Sequence, residues 1–184
     1  MIGFTLRLLR CLGPTWLRPL IVFYIDSMRA IPVLVVVWTF FAFPILFGIT
    51  MMPIVAAVGA ISVHVAASLA EIVRAGIESI RQGQSWAGLA LGMTQAQLLR
   101  KIILPQAIKR VLPVLATTWV ALFEDTSLVS IIVVSDLAYT AMQIRSKTFR
   151  ILEMLTAMAV IYWAMGYPQA KLTDWIHRGM AGRE

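Results

Sequence analysis

The chain has 184 residues, of which 60% are hydrophobic and only 14% charged, and its mean hydropathy is +0.83. A soluble domain is nearer 45–50% apolar and about 25% charged, so a single water-exposed globule is excluded and a bilayer is the fitting solvent. The net charge of +7 comes without a basic run interleaved with aromatics, which argues against nucleic acid as a partner.

Residues 1–30 carry Arg7, Arg10, Arg18 and Arg29 and lack the apolar core and cleavage site of a signal peptide. Cys11 is alone, so no internal disulfide forms. Four apolar stretches follow, at about Ile31–Thr50, Pro53–Ala70, Val111–Val134 and Ile151–Tyr167. About 20 helical residues cross roughly 30 Å of hydrocarbon, and unpaired strands are not tolerated there, so four helical spans are expected. Lys and Arg then sort by side. Those of the N-terminal segment, of the segment between the second and third spans, and of the tail share one face of the membrane. Only Arg145, Lys147 and Arg150 lie on the other. The positive-inside rule puts both termini and the central segment in the cytoplasm. The expected division is an N-terminal segment 1–30, a transmembrane domain 31–170 with a loop at 82–110, and a cytoplasmic tail 171–184.

The central segment reads as short helices. Glu71 to Ile80 continues the second span, and Glu71 and Arg74 form an i, i+3 ion pair at the interface. Gly83 is expected to break that helix, and Ser85 to cap the next. Ala87, Leu91, Leu98 and Ile102 fall on one helical face; Gly92 interrupts it, and Pro105 and Pro113 limit helix beyond. A folded loop with an apolar stripe and a basic back calls for a protein partner.

The acidic pair Glu124-Asp125 sits about 13 residues into the third stretch. Each charge costs about 2.5–3.5 kcal/mol at a helix centre, so the pair is expected to face a watery cavity or a partner helix, or to hold a proton. Thr126 and Ser127 either back-bond to carbonyls one turn earlier or line a pathway. His64, in the second stretch, is expected to make an interhelical hydrogen bond, with a proton relay as the alternative. His64 and His177 are too few and too far apart for a metal site. No Gly-x4-Gly-Lys-Ser/Thr loop is present, so the chain is not expected to hydrolyse ATP.

The run Gln82 to Ala107 resembles the coupling loop of ATP-binding-cassette importer permeases, whose pattern is Glu-Ala-Ala, three residues, Gly, nine residues, Ile, one residue, Leu-Pro. Gly92, Ile102, Leu104 and Pro105 keep that spacing, while Trp86-Ala87-Gly88 stands where the family has Glu-Ala-Ala. Met28–Leu34 is similar to the segment opening the second span of polar amino acid permeases. Ala70–Gln84 and Leu112–Ile132 resemble their segments before the loop and around Lys-Asp-Thr-Ser-Leu. The glutamate/aspartate branch is the most similar, since it too lacks the Glu and carries Phe-Gln-Asp-Thr-Ser-Leu where this chain has Phe123–Leu128.

The resemblance implies an all-α, polytopic type I (MetI-like) fold with the family's first span absent ahead of this chain. It implies a permease subunit that is not an enzyme and binds no cofactor. ATP and Mg belong to a partner ATPase dimer, which docks at Ala87, Gly88, Gly92, Ile102, Leu104 and Pro105. A second permease subunit, identical or not, and a periplasmic substrate-binding protein complete the assembly in the bacterial inner membrane. Glu124, Asp125, Thr126 and Ser127 are the translocation-pathway candidates. Glutamate or aspartate is the implied substrate. Two adjacent acids would suit an ammonium group or a basic amino acid, so a basic or glutamine permease stays open, as does a truncated, non-transporting form. A membrane enzyme would need a richer cluster of His or acids at one face.

Overall fold

The computed structural model describes residues 16–181, so the readings on Arg7, Arg10, Cys11 and Arg183 lie outside the described residues. Those residues form helices joined by short connections, with no strand among them. Helix α1 (Leu17–Ala30) is followed by α2 (Val33–Ala42), which tightens into a 3₁₀ segment at Phe43–Phe47. Helix α3 (Pro53–Glu78) leads to two short helices, α4 (Gln82–Ala90) and α5 (Gln95–Leu98). A π turn at Leu99–Ile103 joins α5 to α6 (Leu104–Asp125), which ends in a 3₁₀ segment at Thr126–Ile132. Helices α7 (Leu137–Thr148) and α8 (Ile151–Ala181) complete the chain.

Three helical stretches are long and apolar enough to cross a bilayer: α3, the run Gln95–Ile132 and α8. The fourth expected span is a bent pair, α1 with α2 and its 3₁₀ extension, meeting at 107°. Pro32 causes the bend. It forces Ile31 into an extended conformation (φ −93°, ψ 128°) and supplies no N–H to continue α1. The first apolar stretch is therefore helical over Val33–Phe47 and ends at Gly48, whose φ of 72° stops the helix.

Helix α1 went unread in the sequence, although Leu17, Ile21, Tyr24, Ile25 and Met28 recur at helical spacing. Ile21 and Ile25 bury against Ala67 and Ala70 of α3, and the Tyr24 hydroxyl donates to the Val63 carbonyl at 2.5 Å. Lipid offers no hydrophobic drive for helices to associate, so close packing and interhelical hydrogen bonds hold the bundle. The small residues of α3 serve that packing. Ala56, Ala57 and Ala60 let Val36 and Val37 of α2 approach, and Val129 and Ile132 close the cluster from the second 3₁₀ segment.

Helix α8 runs antiparallel to α6. Phe123 meets Tyr162 edge-on at 6.0 Å, the Trp119 indole donates to Gln169 Oε1 at 3.0 Å, and Thr173 Oγ1 donates to the Ala116 carbonyl at 3.3 Å. No residue of its most apolar window is buried. Two prolines sit inside helices, Pro113 in α6 and Pro168 in α8. The expectation that Pro113 limits helix is thus overturned.

Candidate functional site

The loop between α3 and α6 folds as a helical hairpin. Helix α3 ends at Ser79, and α4 starts at Gln82 behind Arg81, which is extended and offers no side-chain cap. Gly83 therefore lies inside α4 and Ser85 is not its cap, contrary to the sequence expectation; the break falls three residues earlier. Helix α4 ends in a Schellman motif. The Met93 amide donates to the Gly88 carbonyl at 3.1 Å and the Gly92 amide to the Leu89 carbonyl at 2.9 Å. Gly92 has φ +76°, and a Cβ there would meet nothing within 4 Å. Its glycine is needed for the left-handed turn, not for space.

After that turn, Thr94 caps α5 reciprocally with Gln97. The Gln97 amide donates to Thr94 Oγ1 at 3.3 Å, and the Thr94 amide donates to Gln97 Oε1 at 2.9 Å. The pattern Thr94-x-x-Gln97 carries the signature of this capping box in the sequence. Pro105 sits in the first turn of α6 and does not end a helix. The π turn just before it shifts the register, with the Leu104 amide reaching back to the Leu99 carbonyl.

The hairpin has an inside and an outside. A Cβ on Gly88 would stand 2.7 Å from Leu98 Cδ1, 3.3 Å from Ile102 Cδ1 and 3.4 Å from Met93 Sδ, so Gly88 lets α4 close onto α5 and the π turn. Leu98 is 2% exposed, and Ile102 and Leu104 are half-buried. Ala87 and Pro105 are exposed, as are Trp86 (67%) and Leu91 (82%). The single stripe expected from Ala87, Leu91, Leu98 and Ile102 is thus split by the Gly92 turn into an inward pair and an outward pair.

Polar contacts tie the hairpin to the bundle. Arg110 donates to the Ser79 carbonyl at 2.6 Å, satisfying an end carbonyl of α3. Arg74 pairs with Glu71, Nε to Oε2 at 2.9 Å, and with Glu78, while Arg29 of α1 reaches Glu71 at 3.7 Å. The expected Glu71–Arg74 pair is present and belongs to a larger cluster. Just above it, a Cβ on Gly76 would fall 2.0 Å from Val111 Cγ2, so α3 and α6 cross in direct contact there.

At the other end of α6 the acidic pair divides, because consecutive helical residues diverge by about 100°. Glu124 and Ser127 border a hollow of about 460 Å³ between α6 and α8, with Phe123, Tyr162 and Gly166 among its walls. Asp125 borders neither this hollow nor the next and lies within electrostatic reach of His64 on α3. Thr126 faces a second cavity of about 570 Å³, with Ser62, Asp136 and Tyr162. Both hydroxyls back-bond, Thr126 Oγ1 to the Phe123 carbonyl at 2.6 Å and Ser127 Oγ to the Glu124 carbonyl at 2.8 Å. These bonds fall where the α-helix tightens into 3₁₀.

His64 departs from expectation: its Nδ1 is buried without a hydrogen-bond partner among the described residues. Asp136 stands at the head of α7. Its Oδ1 accepts from the Tyr139 amide at 2.7 Å and caps α7, while its Oδ2 is buried and likewise unpartnered.

Comparison with known proteins is consistent with this arrangement. The chain is 36% identical over 166 residues to the glutamate/aspartate import permease GltK of Escherichia coli O157:H7, covering 86% of this chain and 74% of that one. It is 38% identical over 141 residues to the glutamine transport system permease GlnP of Escherichia coli K12, covering 76% and 64%. With the L-cystine permease TcyB of Bacillus subtilis it shares 39% identity over 142 residues, covering 76% and 60%. Among solved structures, an amino acid ABC transporter crystallised with histidines superposes with a TM-score of 0.92 at 32% identity, over 96% of this chain and 83% of that one. The methionine transporter MetNI, at 21% identity and a TM-score of 0.72, shares the fold. Residues 3–182 match the family model of the binding-protein-dependent transport system inner membrane component, and the chain belongs to that family.

Proposed function

We propose that the chain is the membrane-spanning permease subunit of an ATP-binding-cassette importer that carries glutamate or aspartate into the cytoplasm. The observation that carries the transport reading is the hairpin. It is an internally packed helical body between two spans, with apolar side chains left outside. Such a body transmits a push from a partner, and the partner in this reading is an ATPase dimer that holds the ATP and Mg. Ala87, Gly88, Gly92, Ile102, Leu104 and Pro105 build the docking unit. Ala87 and Pro105 contribute its outer surface and the others its turn and interior. The hairpin side is cytoplasmic on the distribution of Lys and Arg. A second permease subunit and a periplasmic binding protein complete the assembly.

Glu124, Asp125, Thr126 and Ser127 flank the route in this proposal. Glu124 meets the substrate's ammonium group, since a carboxylate there repels a second carboxylate. The glutamate/aspartate assignment is supported by the lost acid at Trp86, the Phe123–Leu128 sequence and the long alignment with the glutamate/aspartate relative. The paired acids favour a second reading, a permease for a basic amino acid. The test is uptake of labelled glutamate into proteoliposomes holding the chain, its ATPase and its binding protein, with aspartate, glutamine, cystine and arginine as competitors. Competition by aspartate alone is expected; competition by arginine alone would move the assignment to the basic class. A chain that holds no ATPase in mild detergent would remove the transport reading itself. Glu124→Gln is expected to raise KM several-fold with insertion unchanged, and unaltered kinetics would confine the acid to a structural role.

A further inference from the structure

The corner between α7 and α8 combines features that the transport reading leaves unused. By the antiparallel pairing of α6 with α8, this corner lies at the end of the bundle opposite the hairpin. Phe149 occupies it with φ 57°, a left-handed conformation that aromatic residues rarely adopt, and is 86% exposed. Arg145, Lys147 and Arg150 surround it within six residues. Arg145 and Lys147 lie in the last turn of α7, where the helix C-terminus favours cations; among the described residues neither makes an ion pair. Arg150 approaches Glu153 at 4.0 Å with 71% of its side chain still exposed. The helix dipole accounts for two cations, but not for a third beside a strained, exposed aromatic ring.

The position selects the partner. Ile151 opens the span α8, so residues 145–150 lie at the level of lipid headgroups. Phe149 is continuous with exposed Ile151, Leu152 and Leu155 of α8, whose apolar window buries nothing. The ring therefore extends the exposed apolar surface of α8, and the three cations flank it in the chain. We propose that this corner binds an anionic phospholipid of the leaflet opposite the hairpin. Arg145, Lys147 and Arg150 meet the phosphate-bearing headgroup, and Phe149 and Leu152 enter the acyl region. An anionic lipid also offsets the presence of three cations on the side that positive charge normally avoids.

Hydrogen exchange of the full chain in nanodiscs tests the site. Amides 145–152 are expected to exchange about tenfold more slowly with one-third phosphatidylglycerol than in pure phosphatidylcholine, as expected for two or three surface cations. The triple variant Arg145→Gln, Lys147→Gln, Arg150→Gln is expected to abolish the difference. Arg81→Gln, Arg100→Gln, Lys101→Gln at the hairpin is expected to leave it intact. Phe149→Gly, which relieves the left-handed strain, is expected to reduce it while the chain stays folded. The proposal is overturned by a difference that survives the first triple variant, or by equal slowing with free glycerol phosphate in phosphatidylcholine discs. Protection only on adding an acidic soluble binding protein, whatever the lipid, also overturns it and assigns the corner to that protein.

Discussion

The two ends of α6 are built by different rules. At the hairpin end, local backbone chemistry fixes each feature: a Schellman turn at Gly92, a capping box at Thr94 and a π turn before Pro105. At the acidic end, hydroxyls bond back within their own helix, while His64 Nδ1 and Asp136 Oδ2 stay buried and unpartnered. One end is satisfied and closely packed. The other holds polar groups whose pairing the described residues do not complete, as befits a place where a passing solute or a neighbouring subunit would supply partners.

The sharpest way to break this contrast is to remove the hairpin's turn. Gly92→Arg puts a side chain on a left-handed residue and displaces the outward pair Ala87 and Leu91. Loss of ATPase association with normal membrane insertion is expected, read by co-purification. Gly92→Asn, which tolerates that conformation, is expected to keep most of it. Next comes the α3–α6 crossing, where Gly76→Val meets Val111 at van der Waals-violating distance and is expected to cost about 1–3 kcal/mol. Thermal unfolding in detergent checks this, with Val111→Ala expected to restore part of the loss. The smallest effect is expected from Thr94→Ala, which removes one cap at about 1 kcal/mol. Faster exchange confined to residues 95–98, with little change at Glu124 or Ser127, would show the two ends to be independent.

What was legible in the sequence follows the same division. The turn at Gly92, the Glu71–Arg74 pair and the continuation of α3 beyond Ala70 were readable, because helix, glycine turn and charge pair are set by near neighbours. The start of α4 was misread because Gly83 and Ser85 are weaker signals than the extended Arg81 just before the helix. Helix α1 was missed because its arginines drew it into the cytoplasm, while its apolar stripe needed Ala67 and Ala70 as a surface. The divergence of Glu124 from Asp125 depends on where α3 and α8 lie, which no local pattern specifies. His64 illustrates the limit: its residue type marked it, but its unpartnered nitrogen is a property of the assembled bundle.

Helix α8 carries a consequence for how the sequence can drift. No residue of its apolar window is fully buried by its own chain, and Val160 and Leu152 are exposed, so exchanges such as Val160→Leu or Leu152→Ile disturb few internal contacts. Positions that face only lipid should wander freely among apolar residues from one relative to the next. Positions that a neighbouring subunit covers should not. The fixed residues of α8 would then trace the outline of whatever protein lies against it.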